Sequence, residues 1–320
     1  MSDQVRDAYD VVVIGGGAAG LNGALQLVRS RRSVLVVDAG QQRNRPAPAV
    51  HGLLGHDGRP PAELLARGRA EVRAYGGEVV AGAVTAVGGE LDQGFTVTLG
   101  DGRAVLARRL LVTSGLVDNL PDIPGLRERW GRDVVHCPYC HGWEVRDQPI
   151  GVLASGPASV HQALLFRQLS DDVAYFRRGT ALDDASTARL AARGIRVVDG
   201  EVTAVVITDD AVAGVRLADG TIVPRQAIAV AARMTARAGF LADLGLKAGE
   251  HPSGMGSHIP ADPAGRTEVP GVWAAGNVTD LTAQVGAAAA AGALAGAVIN
   301  ADLVEEETRR AVAGVAARAR

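Results

Sequence analysis

Residues Asp10 to Gly20 read DVVVIGGGAAG, and this run constrains the fold more than any other stretch of the chain. A β-branched apolar run stops at glycines, and an Ala/Leu-rich helical pattern follows from Leu21 to Ser30, so the local order is strand, turn, helix. Gly15, Gly17 and Gly20 satisfy G-x-G-x-x-G. The first glycine permits the tight turn, the second lets backbone approach a pyrophosphate, and the third seats the helix against the strand. Ala18 and Ala19 stand at the helix start, where free amides face phosphate. A second apolar run, Ser33 to Val37, ends at Asp38, placed where a carboxylate accepts hydrogen bonds from a ribose. An ordinary tight turn leaves that acid unexplained, so the first forty residues predict a dinucleotide site in an α/β chain.

At 320 residues the chain exceeds the size at which one core usually keeps growing, which predicts two domains. Its 33 basic and 35 acidic residues are spread along the sequence and leave a net charge of −2, with no basic patch interleaved with aromatics; nucleic acid is not an expected partner. The N-terminal MSDQVRDAYD has no basic-then-apolar signal, and the chain holds only two cysteines, so a cytoplasmic location is expected. The longest apolar run, Val285 to Ile299, is mostly Ala and Gly, too short and too weakly hydrophobic for a confident membrane span, and reads as a closely packed internal helix.

Beyond Asp38, residues 41–61 are rich in Arg, Pro, Gly and His, lack periodicity and read as a loop. It holds His51 and His56; each is a solvated surface residue by default, and His51 is kept as a candidate site residue. Residues 60–76 predict an amphipathic helix, and 78–88, 94–99 and 103–112 alternate like the strands of a small meander. Thr113-Ser114-Gly115 closes that section, and Pro121, Pro124 and Gly125 mark a linker.

The two cysteines lie in His136-Cys137-Pro138-Tyr139-Cys140-His141-Gly142-Trp143, spaced C-x-x-C. A thiolate attacks a disulfide sulfur, and a partner two residues away can close the ring or release the mixed disulfide, so the spacing suits exchange chemistry. The run also spells C-x-x-C-H, a haem-attachment pattern, but haem attachment requires export. A zinc site draws a second ligand pair from elsewhere, and none follows, so no metal is expected.

Residues 148–170 repeat the first unit in damaged form: strand Ile150 to Ala154, turn Ser155-Gly156-Pro157, helix Ala158 to Leu169. The glycine positions become Ala154, Gly156 and Ser159, and Pro157 removes a backbone donor from the turn. The next strand ends at Arg177 and Arg178, which suit either a 2′-phosphate or a solvated strand end. Residues 200–224 predict a second meander. A strand then stops at Gly276-Asn277, and an Ala/Gly helix starts at Gln284, its small side chains allowing close approach of a flat ligand.

VVIGGGAAG, CPYCHGWE, a second nucleotide-type turn and GVWAAGN together resemble the low-molecular-weight thioredoxin reductase family over nearly the whole chain. The resemblance implies an α/β fold of two Rossmann-like three-layer nucleotide-binding domains. An FAD domain, residues 1–117 and 246–320, would be split by an inserted NAD(P)-type domain, residues 118–245, carrying the C-x-x-C. It implies FAD held by Gly15, Gly17, Ala18, Ala19, Gly20, Asp38 and Gly115 and by Gly276, Asn277, Gln284 and Val285. Cys140 would exchange electrons with the flavin and Cys137 with substrate, in a homodimer. The family usually has Asp at Asn277, Arg at Ala283 and an Asp proton donor at His141. With the glycine turn and a His-Arg-Arg stretch also altered, the NADPH site looks eroded and NADPH binding stays open. C-x-x-C-H-G-aromatic-Glu is similar to dithiol oxidases of the gliotoxin and holomycin type. That likeness implies closure of a small-molecule dithiol with oxygen as acceptor, and His141 or His136 as base. A thioredoxin reductase acting on a thioredoxin-like protein, and a flavin redox sensor without turnover, are the alternatives.

Overall fold

The computed structural model describes residues 5–156 and 158–318, and Pro157, expected to interrupt the second turn, lies outside them. The chain forms two compact units: one of residues up to Arg43, Ala62–Val117 and from Met234 onward, the other of Asn44–Pro61 and Asp118–Arg233.

In the first unit the strand Ala8–Ile14 lies between Val34–Asp38 and Ala104–Val112, parallel to both. Glu78–Ala81 and Val272–Ala274 extend the parallel sheet on its two sides. Both faces are covered, which is why these strands read as unbroken apolar runs. Val11 and Val13 face the helices Ala18–Arg29 and Val285–Arg318, with Leu27, Leu65, Val72, Ile299 and Leu303. Val12 and Ile14 face the antiparallel strands Val84–Glu90 and Gly94–Leu99, through Val87, Phe95 and Val97. The single strand expected over 78–88 is therefore two: the chain turns at Gly82, φ 158°, leaves the parallel sheet and begins the meander.

The second unit repeats the plan. A five-stranded parallel sheet runs Arg196–Val198, Val173–Phe176, Ile150–Leu153, Ala227–Val230, Val134–Val135. Helices Ala158–Phe166 and Asp184–Ala192 cover one face through Ala163, Phe166 and Leu190. The antiparallel strands Val202–Thr208, Ala211–Leu217 and Ile222–Pro224 cover the other through Val205, Val215 and Val223. Both units are thus three-layered and Rossmann-like.

The division departs from the expected boundaries in two segments. Residues 234–245 join the first unit rather than the inserted domain: Arg233–Ala236 pairs with Gly256–His258, and Ala238 and Leu241 enter the core with Phe95 and Ile259. Residues 44–61 join the second unit, where Gly131 packs against Pro46. Neither segment carries a long periodic run, so only tertiary contact assigns it.

The last helix is closely packed, as its small residues lead one to expect, and at two positions its partner is another helix. A Cβ on Gly292 would overlap the Ala19 carbonyl, one on Gly296 would sit 2.6 Å from the Gly23 carbonyl oxygen, and Asn22 Nδ2 donates to Ala289 O at 2.8 Å. At these positions the missing side chains admit the Ala18–Arg29 backbone, not a ligand. By length and composition Val285–Arg318 is able to cross a membrane, but one stripe of it, Ala288, Gly292, Ala295, Ile299 and Leu303, packs into this unit. Charge fixes its middle. Arg109, 2% exposed, gives Nε to Asp302 and Nη2 to Glu306, both at 2.6 Å, while Glu307 accepts from Arg32 and Arg108. Removing both partners would leave a buried guanidinium uncompensated, at a cost of about 3–5 kcal/mol.

Gly292→Val should lower stability by about 1–3 kcal/mol or more through backbone overlap, read as a drop in urea midpoint. The hydrogen bonds from Arg32, then Arg108, hold Glu307 down at about 2, against an ordinary 4.5. A depressed carboxylate contributes stability above its unfolded value and loses it as pH falls through the folded one. Amide exchange of residues 300–312 should therefore accelerate selectively between pH 4.5 and pH 2 relative to the central strands.

Candidate functional site

Two groups of residues carry the chemistry, one in each unit. In the first unit Gly15 has φ 117°, and a Cβ there would overlap the Thr113 carbonyl oxygen; a Cβ on Gly20 would overlap the Gly15 carbonyl. Thr113 Oγ1 donates to Gly15 O at 2.9 Å and locks this approach. Gly17, by contrast, faces open space, and as N-cap of the 12-residue helix Ala18–Arg29 it makes no side-chain capping bond. The amides of the first turn, from Ala18 and Ala19 on, therefore remain available to an anion. Gly16, not singled out by the sequence pattern, matters as well: a Cβ there would overlap the Asp38 carboxyl, so its absence brings that acid beside the turn. Asp38 Oδ1 accepts from Gly40 N and Gln42 Nε2, both at 2.9 Å, and Oδ2 keeps room for a ribose hydroxyl with Arg69 at 3.4 Å.

The other end of the chain closes on the same turn. Gly276, φ 78°, approaches the Ala19 methyl, where an added Cβ would lie at 2.8 Å. Asn277 Nδ2 donates to the carbonyls of Asp280 and Ala283, both at 3.0 Å, and holds the approach to Gln284 and Val285, where the last helix starts. An aspartate could not make those donations, which gives this departure from the family pattern a local cause. Gly115, φ 69°, also opens on space and accepts Arg237 N at 3.0 Å. An uncapped helix start, an open glycine and an acid at the next strand end form a cradle that fits the ADP half of FAD.

In the second unit the matching turn is filled by its own groups. Ser155 N donates to Ser159 Oγ at 2.9 Å, and Ser159 is fully buried. Arg178 turns back and donates Nη1 to Ala154 O at 2.9 Å, half-buried so that desolvation pulls its pKa down. Arg177 gives Nε to Thr180 O and pairs with Asp199 at 3.2 Å. The Ser155 amide, Arg178 Nη1 and Arg177 Nε are thus engaged inside the chain.

The cysteines follow the edge strand Val134–Val135, at the carboxyl end of this sheet, where ligands of open α/β sheets bind. Pro138–His141 forms one helical turn with Cys137 as its N-cap, so Cys140 comes back over Cys137 and the sulfurs lie 2.6 Å apart. Gly142 ends the turn because a Cβ would overlap both the Pro138 carbonyl and the Leu169 side chain. Tyr139, between the cysteines, and Trp143 are 68% and 65% exposed, and Arg146 lies over the Trp143 ring at 4.0 Å. Among the described residues no cluster of three or more His, Cys, Asp or Glu side chains is placed to hold a metal.

The two histidines differ. His136 Nδ1 lies 3.3 Å from Val230 O; a carbonyl only accepts, so Nδ1 carries the proton and Nε2 is the basic nitrogen. His141 has Nε2 buried without a hydrogen-bond partner. Burial holds its pKa below 6.5, Glu144 opposes that shift and His51 adds to it. His141 is therefore neutral at pH 7 and able to take a proton. The sequence keeps His51 as a candidate site residue and gives Glu144 only as the last member of a motif, without joining the two; the structure puts His51 Nε2 3.3 Å from Glu144 Oε1.

The family described as pyridine nucleotide-disulphide oxidoreductase matches residues 9–293. The chain is 46% identical to HlmI, whose crystal structure superposes with a TM-score of 0.92 over 100% of both chains. It is 38% identical to an oxidoreductase from Agrobacterium tumefaciens, TM-score 0.87, over 93% of this chain and 99% of that one. Among curated proteins it is 32% identical over 314 residues to thioredoxin reductase tcpT of Claviceps purpurea, covering 93% of this chain and 95% of the relative.

Asn277→Asp should lower stability by about 1–3 kcal/mol at pH 7, because a carboxylate would face two carbonyls. The new group's folded pKa is raised, so the loss is absent in acid and grows as pH rises. A urea midpoint near wild type at pH 4 and depressed at pH 7 is the expected result.

Proposed function

This chain belongs to the pyridine nucleotide-disulphide oxidoreductase family, as a thioredoxin reductase-like flavoprotein with FAD as cofactor, and on that premise we propose that it is a dithiol oxidase. Its substrate would be a small-molecule dithiol, closed to a disulfide with oxygen as final acceptor. The observation that carries this reading is the state of the second nucleotide turn, whose donors Ser155 N and Arg178 are engaged by Ser159 and Ala154. An enzyme fed by NADPH needs those groups for phosphate; an enzyme fed by its thiol substrate does not.

The residues divide the work as follows. The cysteines are free in this structure; in the oxidised form one substrate thiolate would attack Cys137 Sγ of a Cys137–Cys140 disulfide, the protein S–S bond breaking and Cys140 leaving as a thiolate. The second substrate thiolate then attacks the substrate sulfur of the mixed disulfide, closing the product and releasing Cys137. His141 accepts a proton from the incoming thiols, a task a neutral imidazole performs near pH 7 and an ionised aspartate mostly cannot. His136, fixed by Val230 O, has its Nε2 as the second basic nitrogen. Bound FAD supplies the two-electron acceptor for the reduced cysteine pair, held by Gly15, Gly17, Gly20, Asp38, Gly276 and their neighbours. The curated relatives' names favour the second reading, a thioredoxin reductase.

Anaerobic titration of the purified flavoprotein separates the two. Dithiothreitol should bleach the flavin absorbance and NADPH should leave it unchanged, and Cys140→Ser should abolish the bleaching. Rapid bleaching by NADPH would return the reductase reading, and absence of turnover with either donor would leave a redox sensor.

A further inference from the structure

The two ends of the cysteine turn are held by different means. At the Cys140 end the backbone holds itself: Cys140 N and His141 N both reach Cys137 O, at 3.3 and 3.2 Å, and Gly142 N donates to Pro138 O at 2.9 Å. At the Cys137 end the chain has just left the sheet, since the edge strand Val134–Val135 pairs with Ile228 and Ala229 and then stops. His136 spans that gap. Its ring Nδ1 faces Val230 O at 3.3 Å, and its carbonyl accepts Gln162 Nε2 at 2.7 Å. Gln162 is 8% exposed on the helix Ala158–Phe166, which also buries Val160, Ala163 and Phe166, and its Oε1 is buried without a hydrogen-bond partner. We propose that Gln162 is a positioning residue of the disulfide exchange, its side-chain amide fixing the peptide between His136 and Cys137 so that Cys137 Sγ stays poised against Cys140 Sγ; the inference rests on the reading of the two cysteines as an exchanging pair and deepens it.

Packing alone does not call for an amide at this position. A methionine of similar length would fill the space without burying an oxygen that nothing donates to, and such an orphan lowers stability. The orphan follows from the bond that is made: His136 O offers only lone pairs, so the amide must turn its NH₂ toward it and leave Oε1 behind. What the bond supplies is local. Ring closure between two thiols depends on their effective concentration, which is set by how narrowly the backbone between and beside them is held. Pro138 confines Cys137 itself to extended backbone, φ −106° and ψ 122°. The freedom that remains lies in the peptide before Cys137, and Gln162 bonds the carbonyl of that peptide.

The equilibrium of the pair with dithiothreitol reads this directly. Dithiothreitol gives up two electrons and two protons and closes to its cyclic disulfide, while the Cys137–Cys140 disulfide becomes two thiols. The holoprotein is equilibrated without oxygen in mixtures of reduced and oxidised dithiothreitol, and free thiols are counted by alkylation and mass spectrometry, for wild type, Gln162→Met and Gln162→Glu. Flavin content and melting temperature report folding. Gln162→Met should melt near wild type yet shift the equilibrium about tenfold toward the dithiol, which is ~30 mV. Gln162→Glu separates the bond from the volume. A carboxylic acid there donates its O–H to His136 O and burial favours that form, whereas the ionised group donates nothing. Compared at equal pH, this variant should match wild type at pH 5 and Gln162→Met at pH 8. Thiol equilibria equal to wild type in both variants, whatever their melting temperatures, would overturn the assignment of Gln162 while leaving the cysteine chemistry in place. So would a shift that Gln162→Glu shares equally at pH 5 and pH 8, since volume and not the hydrogen bond would then be its cause. A wild-type pair that forms no reversible disulfide in these mixtures would overturn both.

Discussion

The first unit depends on one backbone-to-backbone approach. Gly15 and Gly20 let the start of the Ala18–Arg29 helix sit against its own strand end and against Thr113, closer than any side chain permits. From that contact the rest follows by geometry. The helix points its uncapped amides outward at Gly17, Gly16 admits Asp38 beside them, and Gly276 reaches the Ala19 methyl. The same economy of side chains recurs where Gly292 and Gly296 meet Ala19 and Gly23. Glycine is costly in a helix, roughly 1 kcal/mol each relative to alanine. The Arg109 and Glu307 ion pairs at Asp302, Glu306, Arg32 and Arg108 help to offset that loss by tying the helix to the sheet.

The second unit keeps the same plan around a turn whose groups are bonded differently. The strand-turn-helix order and the parallel sheet persist because apolar packing on both faces maintains them, through Val152, Phe166 and Tyr175 on one side and Leu153, Phe176 and Ile228 on the other. Two donors at this turn, Ser155 N and Arg178 Nη1, have partners within the chain. The buried Ser159 hydroxyl accepts the Ser155 amide, and Arg178 gives Nη1 to the Ala154 carbonyl. Fold and nucleotide site therefore separate physically, since sheet packing depends on side-chain volume and phosphate binding on a few unpaired amides.

Much of this was legible because it is local. The fingerprint at Gly15 to Gly20, the acid at Asp38, the second strand-turn-helix and the C-x-x-C each follow from residue type and spacing over a few positions. What escaped depends on contacts between distant segments. The split of residues 78–88 at Gly82 needs the neighbouring strand Val34–Asp38 to be in place, and the four-residue strand at 233–236 has no periodicity to betray it. Glu144 and His51 stand far apart in sequence, so no spacing rule joins them. The Ala/Gly bias of the last helix was legible as close approach; which partner approached was not.

The direction of thiol chemistry is set as much by protons as by electrons. Passing electrons to a disulfide requires an acid near the thiols, and withdrawing them from a dithiol requires a base and an exit for two protons. An exposed aspartate beside Cys140 would be ionised near neutral pH and too weak a base to deprotonate a thiol. A histidine held neutral by burial is a far better acceptor, provided its positive charge can be compensated when it forms. Burial alone makes His141 a poorer base, so the nearby carboxylate of Glu144 is what keeps protonation attainable. The substitution at position 141 is thus read together with its surroundings: burial lowers the imidazole's affinity for a proton, and the carboxylate three residues on opposes that shift.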